Sequence, residues 1–72
     1  MDIKQSLGQR IKHLRLERNY SQERFALLID LDRTYFASVE SGKRNVSLCN
    51  LLKIANGLNI TLSELFIGVE EK

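Results

Sequence analysis

The run from Ser21 to Gly42 leaves this chain few folds to choose from. It reads Ser-Gln-Glu-Arg-Phe-Ala-Leu-Leu-Ile-Asp-Leu-Asp-Arg-Thr-Tyr-Phe-Ala-Ser-Val-Glu-Ser-Gly, two short helical patterns separated by a break too tight for anything but a sharp corner. Ser21 is a good N-cap, because its hydroxyl can accept a bond from an orphan amide of the first turn. Asp30 falls where the first of the two helices should end, and Asp is among the few non-glycine residues that tolerate a left-handed turn. Asp32 can cap the second helix, and Gly42 can end it.

Two helices joined at a steep angle make a helix-turn-helix, whose second helix has the dimensions to enter the major groove of DNA. The rest of the chain agrees with a helical fold. There is no proline, which suits a chain made mostly of helix. At 72 residues, one domain covering 1–72 is expected, and a domain of this size buries only about 60% of the surface its unfolded chain exposes. The hydrophobic fraction of 43% argues against disorder. Cys49 is the single cysteine, so no internal disulfide is available and a reducing compartment fits. No apolar run approaches the roughly 20 residues of a membrane span, and Met-Asp-Ile-Lys-Gln at the start has no apolar secretory core. A soluble, cytoplasmic protein is expected.

The net charge of +2 is a weak signal, and its distribution says more. Residues 1–20 carry Lys4, Arg10, Lys12, Arg15 and Arg18 against Asp2 and Glu17, whereas residues 46–72 carry Lys53 and Lys72 against Glu64, Glu70 and Glu71. The basic end would draw an anionic partner; an ordinary solvated surface explains the same charges equally well.

The apolar pattern divides the chain into five helices. Ile3, Leu7, Ile11 and Leu14 make one stripe on a helix over 3–18, with Asn19 as a left-handed stop. The second helix covers 22–29 with Phe25, Ala26 and Ile29 inward. The third covers 33–40 with Phe36 and Val39 inward, and Leu31 packs just before it. After a turn at 41–45, Ser47 caps a fourth helix over 48–57. Its expected inward set is Leu48, Leu51, Leu52 and Ala55, with Ile54 as a further candidate, and Gly57 is its expected stop. Thr61-Leu62-Ser63-Glu64 fits a capping box opening a short fifth helix that buries Leu65 and Phe66. The tail 68–72 is expected to fray. The predicted fold class is all-α, a compact five-helix domain with the helix-turn-helix at its second and third helices.

Several of these residues carry a specific resemblance. Ser21-Gln22-Glu23, Ala26, Leu31-Asp32-Arg33-Thr34-Tyr35, Glu40-Ser41-Gly42-Lys43-Arg44-Asn45 and the run from Leu58 to Phe66 resemble the phage-repressor and Cro type of helix-turn-helix, the xenobiotic-response-element family. The resemblance extends from about Leu7 to Phe66. Arg-Thr-Tyr opening the third helix, followed by Glu-x-Gly-x-Arg-Asn, is also similar to the controller proteins of restriction–modification systems, which act as dimers. Two departures stand out. The family usually has glycine at the corner where this chain has Asp30, and more often has polar residues where this chain has Leu27 and Leu28.

The resemblance implies a transcriptional regulator that binds an inverted-repeat operator in double-stranded DNA as a homodimer. With Phe36 and Val39 inward, helical spacing sends Arg33, Thr34, Ala37 and Ser38 outward, with Tyr35 at the edge. The family reads base edges with this face. Arg33 could grip guanine O6 and N7, Thr34 and Ala37 could touch a thymine methyl, Ser38 could reach a base directly or through water, and Tyr35 could bond a phosphate or pack on the sugar edge. Phosphate contacts are expected from Gln22, Lys43, Arg44 and Asn45, which position the protein without reading sequence. The resemblance assigns Arg15 and Glu40 to structure, as a partly buried ion pair joining the first helix to the end of the third. The hypothesised dimer surface is Leu58, Ile60, Leu62, Leu65, Phe66 and Ile67.

Other classes find little support. His13 and Cys49 are the only soft metal ligands and do not make a zinc site. No glycine-rich phosphate loop, paired catalytic carboxylates or nucleophile–base pattern is visible, so an enzyme, a metal, a cofactor and a small-molecule ligand are not expected. RNA polymerase or another protein remains open as a partner. The rival from a different class is a protein-interaction module, antitoxin-like or a co-regulator scaffold, docking through Leu16, Leu27 and Leu28.

Overall fold

The computed structural model describes residues 2–70. They form five helices in chain order: α1 (Ile3–Glu17), α2 (Gln22–Leu28), α3 (Arg33–Glu40), α4 (Leu48–Leu58) and α5 (Leu62–Leu65). No helix among these residues is long and apolar enough to cross a membrane.

Each helix opens on a short polar side chain that accepts an amide of its own first turn. Asp2 caps Gln5, Ser21 caps Arg24, Asp32 caps Tyr35, Ser47 caps Asn50 and Thr61 caps Glu64, all at 2.9–3.1 Å. Asp2 with Gln5 and Thr61 with Glu64 form full capping boxes, which satisfy two orphan donors each.

The first four helices also close alike. Asn19, Asp30, Gly42 and Asn59 stand at φ of 62°, 59°, 79° and 61°. Beyond each, an amide reaches back five residues: Tyr20 to Arg15, Leu31 to Ala26, Lys43 to Ser38 and Ile60 to Ala55. This is the Schellman closure, in which a hydrophobic residue after the left-handed position commonly packs back onto the helix. Tyr20, Leu31 and Ile60 do so here, lying against the core. Asp30 therefore makes the corner turn itself, at the position where the family resemblance implies glycine. Gly57, expected to end α4, lies inside it. A Cβ there would collide with Ile29, so the glycine serves close packing of α4 on the end of α2, and Asn59 makes the stop.

Phe25, Phe36, Ile11, Ile54, Leu58, Leu65, Val39 and Val69 are completely or almost completely buried. The rings of Phe25 and Phe36 pack at 5.3 Å between centroids, joining α2 to α3. Gly8 lets α1 run directly against the end of α3, because a Cβ there would strike the Glu40 carbonyl.

The inward sets differ from expectation at four places. Ile3 is 58% exposed; it lies in the first turn of α1, and the buried stripe begins only at Leu7. On α4, Leu48 and Leu52 are exposed, while Ile54, Ala55 and Leu58 are buried with Leu51 at their edge. Positions 51, 54, 55 and 58 form an i, i+3, i+4, i+7 stripe, and leucine on both this and the adjoining stripe hides which one faces the core. Phe66 lies on the exposed side while Leu65 is buried. Val69, in the tail expected to fray, is 1% exposed. Gly68, at φ of 77°, turns the backbone and Val69 closes the core; residues 71 and 72 of that tail lie outside the described residues.

Candidate nucleic-acid interface

A buried polar joint holds the two helices of the corner in place. Arg15 and Glu40 are 4% and 7% exposed. Arg15 Nε donates to Glu40 Oε2 at 2.7 Å and Nη2 to Oε1 at 3.0 Å, while Nη1 donates to the Tyr20 carbonyl at 2.7 Å. Gln22 Nε2 donates to the same Glu40 Oε1 at 2.9 Å. One cluster thus ties α1, the entry to α2 and the last residue of α3. The described residues contain no buried side-chain nitrogen or oxygen without a partner, which is the condition for a buried charge to be tolerated.

The basic end of the chain has a different use from the one its charge suggests. Arg10 donates to the carbonyls of Glu64 and Leu65 at 2.8 and 3.3 Å. Arg18 donates to those of Leu58 and Leu14, both at 2.9 Å. Together with Arg15, three of the five cations in residues 1–20 are committed to internal acceptors. The basic N-terminal patch is therefore much smaller than its residue count.

Among the described residues, Lys4 and Lys12 of α1, Arg24 of α2 and Lys53 of α4 carry no side-chain hydrogen bond or ion pair, and a further group of cations lies on and just after α3. Arg33 and Thr34 are exposed at its start, and Tyr35, Ala37 and Ser38 are half-buried. Among the described residues Arg33 has no hydrogen-bond or ion-pair partner. Lys43, Arg44 and Asn45 follow α3 in an exposed loop. The Arg44 guanidinium stands 5.5 Å from the centre of the Tyr35 ring, within cation–π range. Ser38 Oγ donates to the Tyr35 carbonyl at 2.6 Å. Its hydrogen is used inside the helix, and the lone pairs of its oxygen stay free to accept. Asn50 Nδ2, on the first turn of α4, donates to the Tyr35 hydroxyl at 3.1 Å. Sequence reasoning misses Asn50, because nothing along the chain shows that the start of α4 abuts α3.

The expected dimer set is divided by the structure. Leu58 and Leu65 are fully buried within the chain and are core residues, unavailable to a partner. They recur in phase with the buried faces of α4 and α5, and Leu65 packs as α5 folds back onto the core. Ile60 and Leu62 are half-buried, and Phe66 and Ile67 are exposed. Leu16, Leu27 and Leu28 are all exposed, Leu27 at 80%. Among the described residues no group of three or more His, Cys, Asp or Glu could hold a metal ion, and Cys49 is an exposed free thiol.

A corner of two capped helices, locked from behind by a buried ion pair and presenting the unpaired Arg33 from its second helix with Lys43 and Arg44 in the loop that follows, defines a helix-turn-helix protein of the DNA-binding class. Residues 11–65 match the family described as Helix-turn-helix. The chain is 60% identical to the control protein C.MunI of a Mycoplasma species, over 99% of this chain and 97% of that protein. The crystal structure of the restriction–modification controller protein C.AhdI from Aeromonas hydrophila superposes with a TM-score of 0.84 at 50% identity, covering 86% of this chain and 94% of that one. The controller protein C.Esp1396I, solved as a tetramer with its natural 35-base-pair operator, superposes with a TM-score of 0.85 at 30% identity, covering 96% and 91%. The chain belongs to the Helix-turn-helix family, and its relatives there are restriction–modification control proteins.

Proposed function

We propose that this chain regulates transcription by binding an inverted-repeat operator as a homodimer, with α3 in the major groove. The observation that carries this reading is the sorting of arginines. Arg10, Arg15 and Arg18 are bonded internally, whereas Arg33 projects unpaired from the first turn of α3. An arginine there can bond guanine O6 and N7 together. Thr34 and Ala37 offer methyl groups to thymine, and Ser38 offers an acceptor to an adenine or cytosine amino group. Lys43, Arg44, Asn45 and the second N–H of the Gln22 amide supply backbone contacts that set register. The exposed Phe66 and Ile67, flanked by Ile60 and Leu62, form the surface on which a second copy pairs. Two copies related by a two-fold axis would then meet half-sites about one helical turn apart. The operator-bound tetramer of C.Esp1396I supports an assembly of this kind. The chain acts in the cytoplasm, without catalysis of its own, as a regulator of a restriction–modification system.

The testing experiment is selection from a pool of random duplexes, with wild type and Arg33→Ala in parallel at near-physiological salt. An enriched inverted repeat that vanishes in the variant supports the reading. Weak, salt-sensitive binding without enrichment would reduce it to non-specific electrostatics.

One observation favours a protein partner as well. Leu16, Leu27 and Leu28 are exposed on α1 and α2. Under that second reading Leu27→Glu abolishes capture of a partner and leaves operator binding intact, while Arg33→Ala does the reverse.

A further inference from the structure

Among the described residues, Tyr35 is the only side chain on the outer face of α3 that is hydrogen-bonded to a different helix. Its ring lies half-buried against the core, the Arg44 guanidinium covers a face at 5.5 Å, and Asn50 Nδ2 reaches its hydroxyl oxygen at 3.1 Å. Asn50 is itself fixed, since its backbone amide is bonded to the Ser47 N-cap at 3.1 Å. The polarity of this contact matters. A tyrosine hydroxyl has one hydrogen to donate and lone pairs to accept with. Because the asparagine N–H occupies a lone pair, the hydroxyl hydrogen is left to point elsewhere, and the Arg44 guanidinium lies over the same ring.

We propose that Asn50 is a positioning residue that sets the Tyr35 hydroxyl as a hydrogen-bond donor to a DNA backbone phosphate. The inference rests on the reading that α3 and the loop after it face DNA. A phosphate is the acceptor the surroundings select: the Arg44 guanidinium beside the ring favours an anion, and donors around a phosphate oxygen reinforce one another. The device would fix the depth of α3 in the groove through α4, a helix that makes no base contact itself.

The substitution that separates this role from a structural one is Asn50→Asp. Aspartate nearly preserves the shape, and in the first turn of α4 a negative charge suits the helix dipole, so the variant folds. Ionised aspartate only accepts. It captures the tyrosine hydrogen and withdraws the donor from DNA. It also adds a charge that repels DNA, so its effect is measured in both the wild-type and the Tyr35→Phe backgrounds. The probes are fluorescein-labelled duplexes, one carrying the inverted repeat that wild type enriches and one of scrambled sequence.

Asn50→Asp is expected to weaken binding about tenfold more in the wild-type background than in Tyr35→Phe, the scale of a charge-assisted hydrogen bond. Tyr35→Phe alone should weaken both duplexes by a similar factor, as loss of a phosphate contact does. In the free protein, one side-chain amide proton of Asn50 should shift in the NMR spectrum when Tyr35 becomes Phe. An equal effect of Asn50→Asp in the two backgrounds overturns the proposal, as does an Asn50 amide indifferent to Tyr35→Phe. A Tyr35→Phe loss confined to the enriched duplex overturns the phosphate assignment. Failure of wild type to enrich any duplex would instead overturn the operator reading beneath it.

Discussion

Arg15 and Glu40 lie 25 residues apart in sequence and meet in a two-pronged ion pair of 2.7 and 3.0 Å. Glu40 terminates α3, so the pair sets where the outward-facing helix stands against α1. A buried pair of this kind contributes little net stability compared with apolar residues of the same volume, because desolvation offsets the attraction. Removing one member is different, since it strands the other charge. Glu40→Leu is expected to lose about 3–5 kcal/mol of unfolding free energy, most of what a chain this short can hold. Arg15→Met combined with Glu40→Leu should recover much of that loss. Urea unfolding of the single and double variants checks both statements; a double variant no more stable than Glu40→Leu would mean that packing, not charge, carries the joint.

Arg33 presents the opposite case. Its guanidinium has no internal partner among the described residues, so Arg33→Ala should leave the unfolding free energy within about 0.5 kcal/mol of wild type. The same variant should weaken binding to the enriched operator by about 1–3 kcal/mol per protomer and relax discrimination at one base pair of each half-site. Paired thermal unfolding and competition binding test the separation. A large stability loss would show that Arg33 is a structural arginine after all.

Lys43 and Arg44 should act through salt rather than sequence. Each phosphate neutralised contributes about 0.9 to the slope of log affinity against log salt. If Lys43 makes one such contact in each protomer of a dimer, Lys43→Ala should flatten the slope by about 2, and enriched and scrambled duplexes should weaken together. Binding isotherms at four or five salt concentrations give the slope directly. A change confined to the enriched sequence would assign the residue to base reading.

Local chemistry makes much of the fold legible in the amino-acid sequence. Ser21, Asp32, Ser47 and Thr61 announce helix starts because capping is decided within three residues, and Asn19 and Asp30 announce stops because few side chains tolerate a positive φ. Features that depend on neighbours distant in sequence are not legible in the same way. Gly57 has the pattern of a stop, yet it makes room for Ile29. Leu58 and Leu65 have the pattern of a partner surface, yet the fold uses them in its core, as it uses Arg10 and Arg18 on distant carbonyls. The charge map misleads for the same reason, because a residue count cannot tell an arginine facing solvent from one closing a helix end. Asn50 belongs to this group too: its meaning lies in Tyr35, fifteen residues away.

The apolar end of the chain gives the most direct test of dimerisation. Leu65, Phe66 and Ile67 are consecutive, but Leu65 is fully buried, Phe66 is 36% exposed and Ile67 is 63% exposed. Phe66 and Ile67 are adjoining exposed apolar side chains that a partner could cover, and burying such side chains contributes about 1.5–3 kcal/mol each. In a symmetric dimer every substitution is counted twice. Ile67→Asp should therefore yield a folded protein that sediments as a monomer at tens of micromolar and binds a single half-site weakly. Leu65→Ala should behave otherwise, losing about 2–5 kcal/mol of stability through the cavity it leaves. Sedimentation velocity with circular dichroism distinguishes the two. If Ile67→Asp remains a dimer of wild-type affinity, the pairing surface lies elsewhere, and the exposed Leu27 and Leu28 of α2 become the next residues to change.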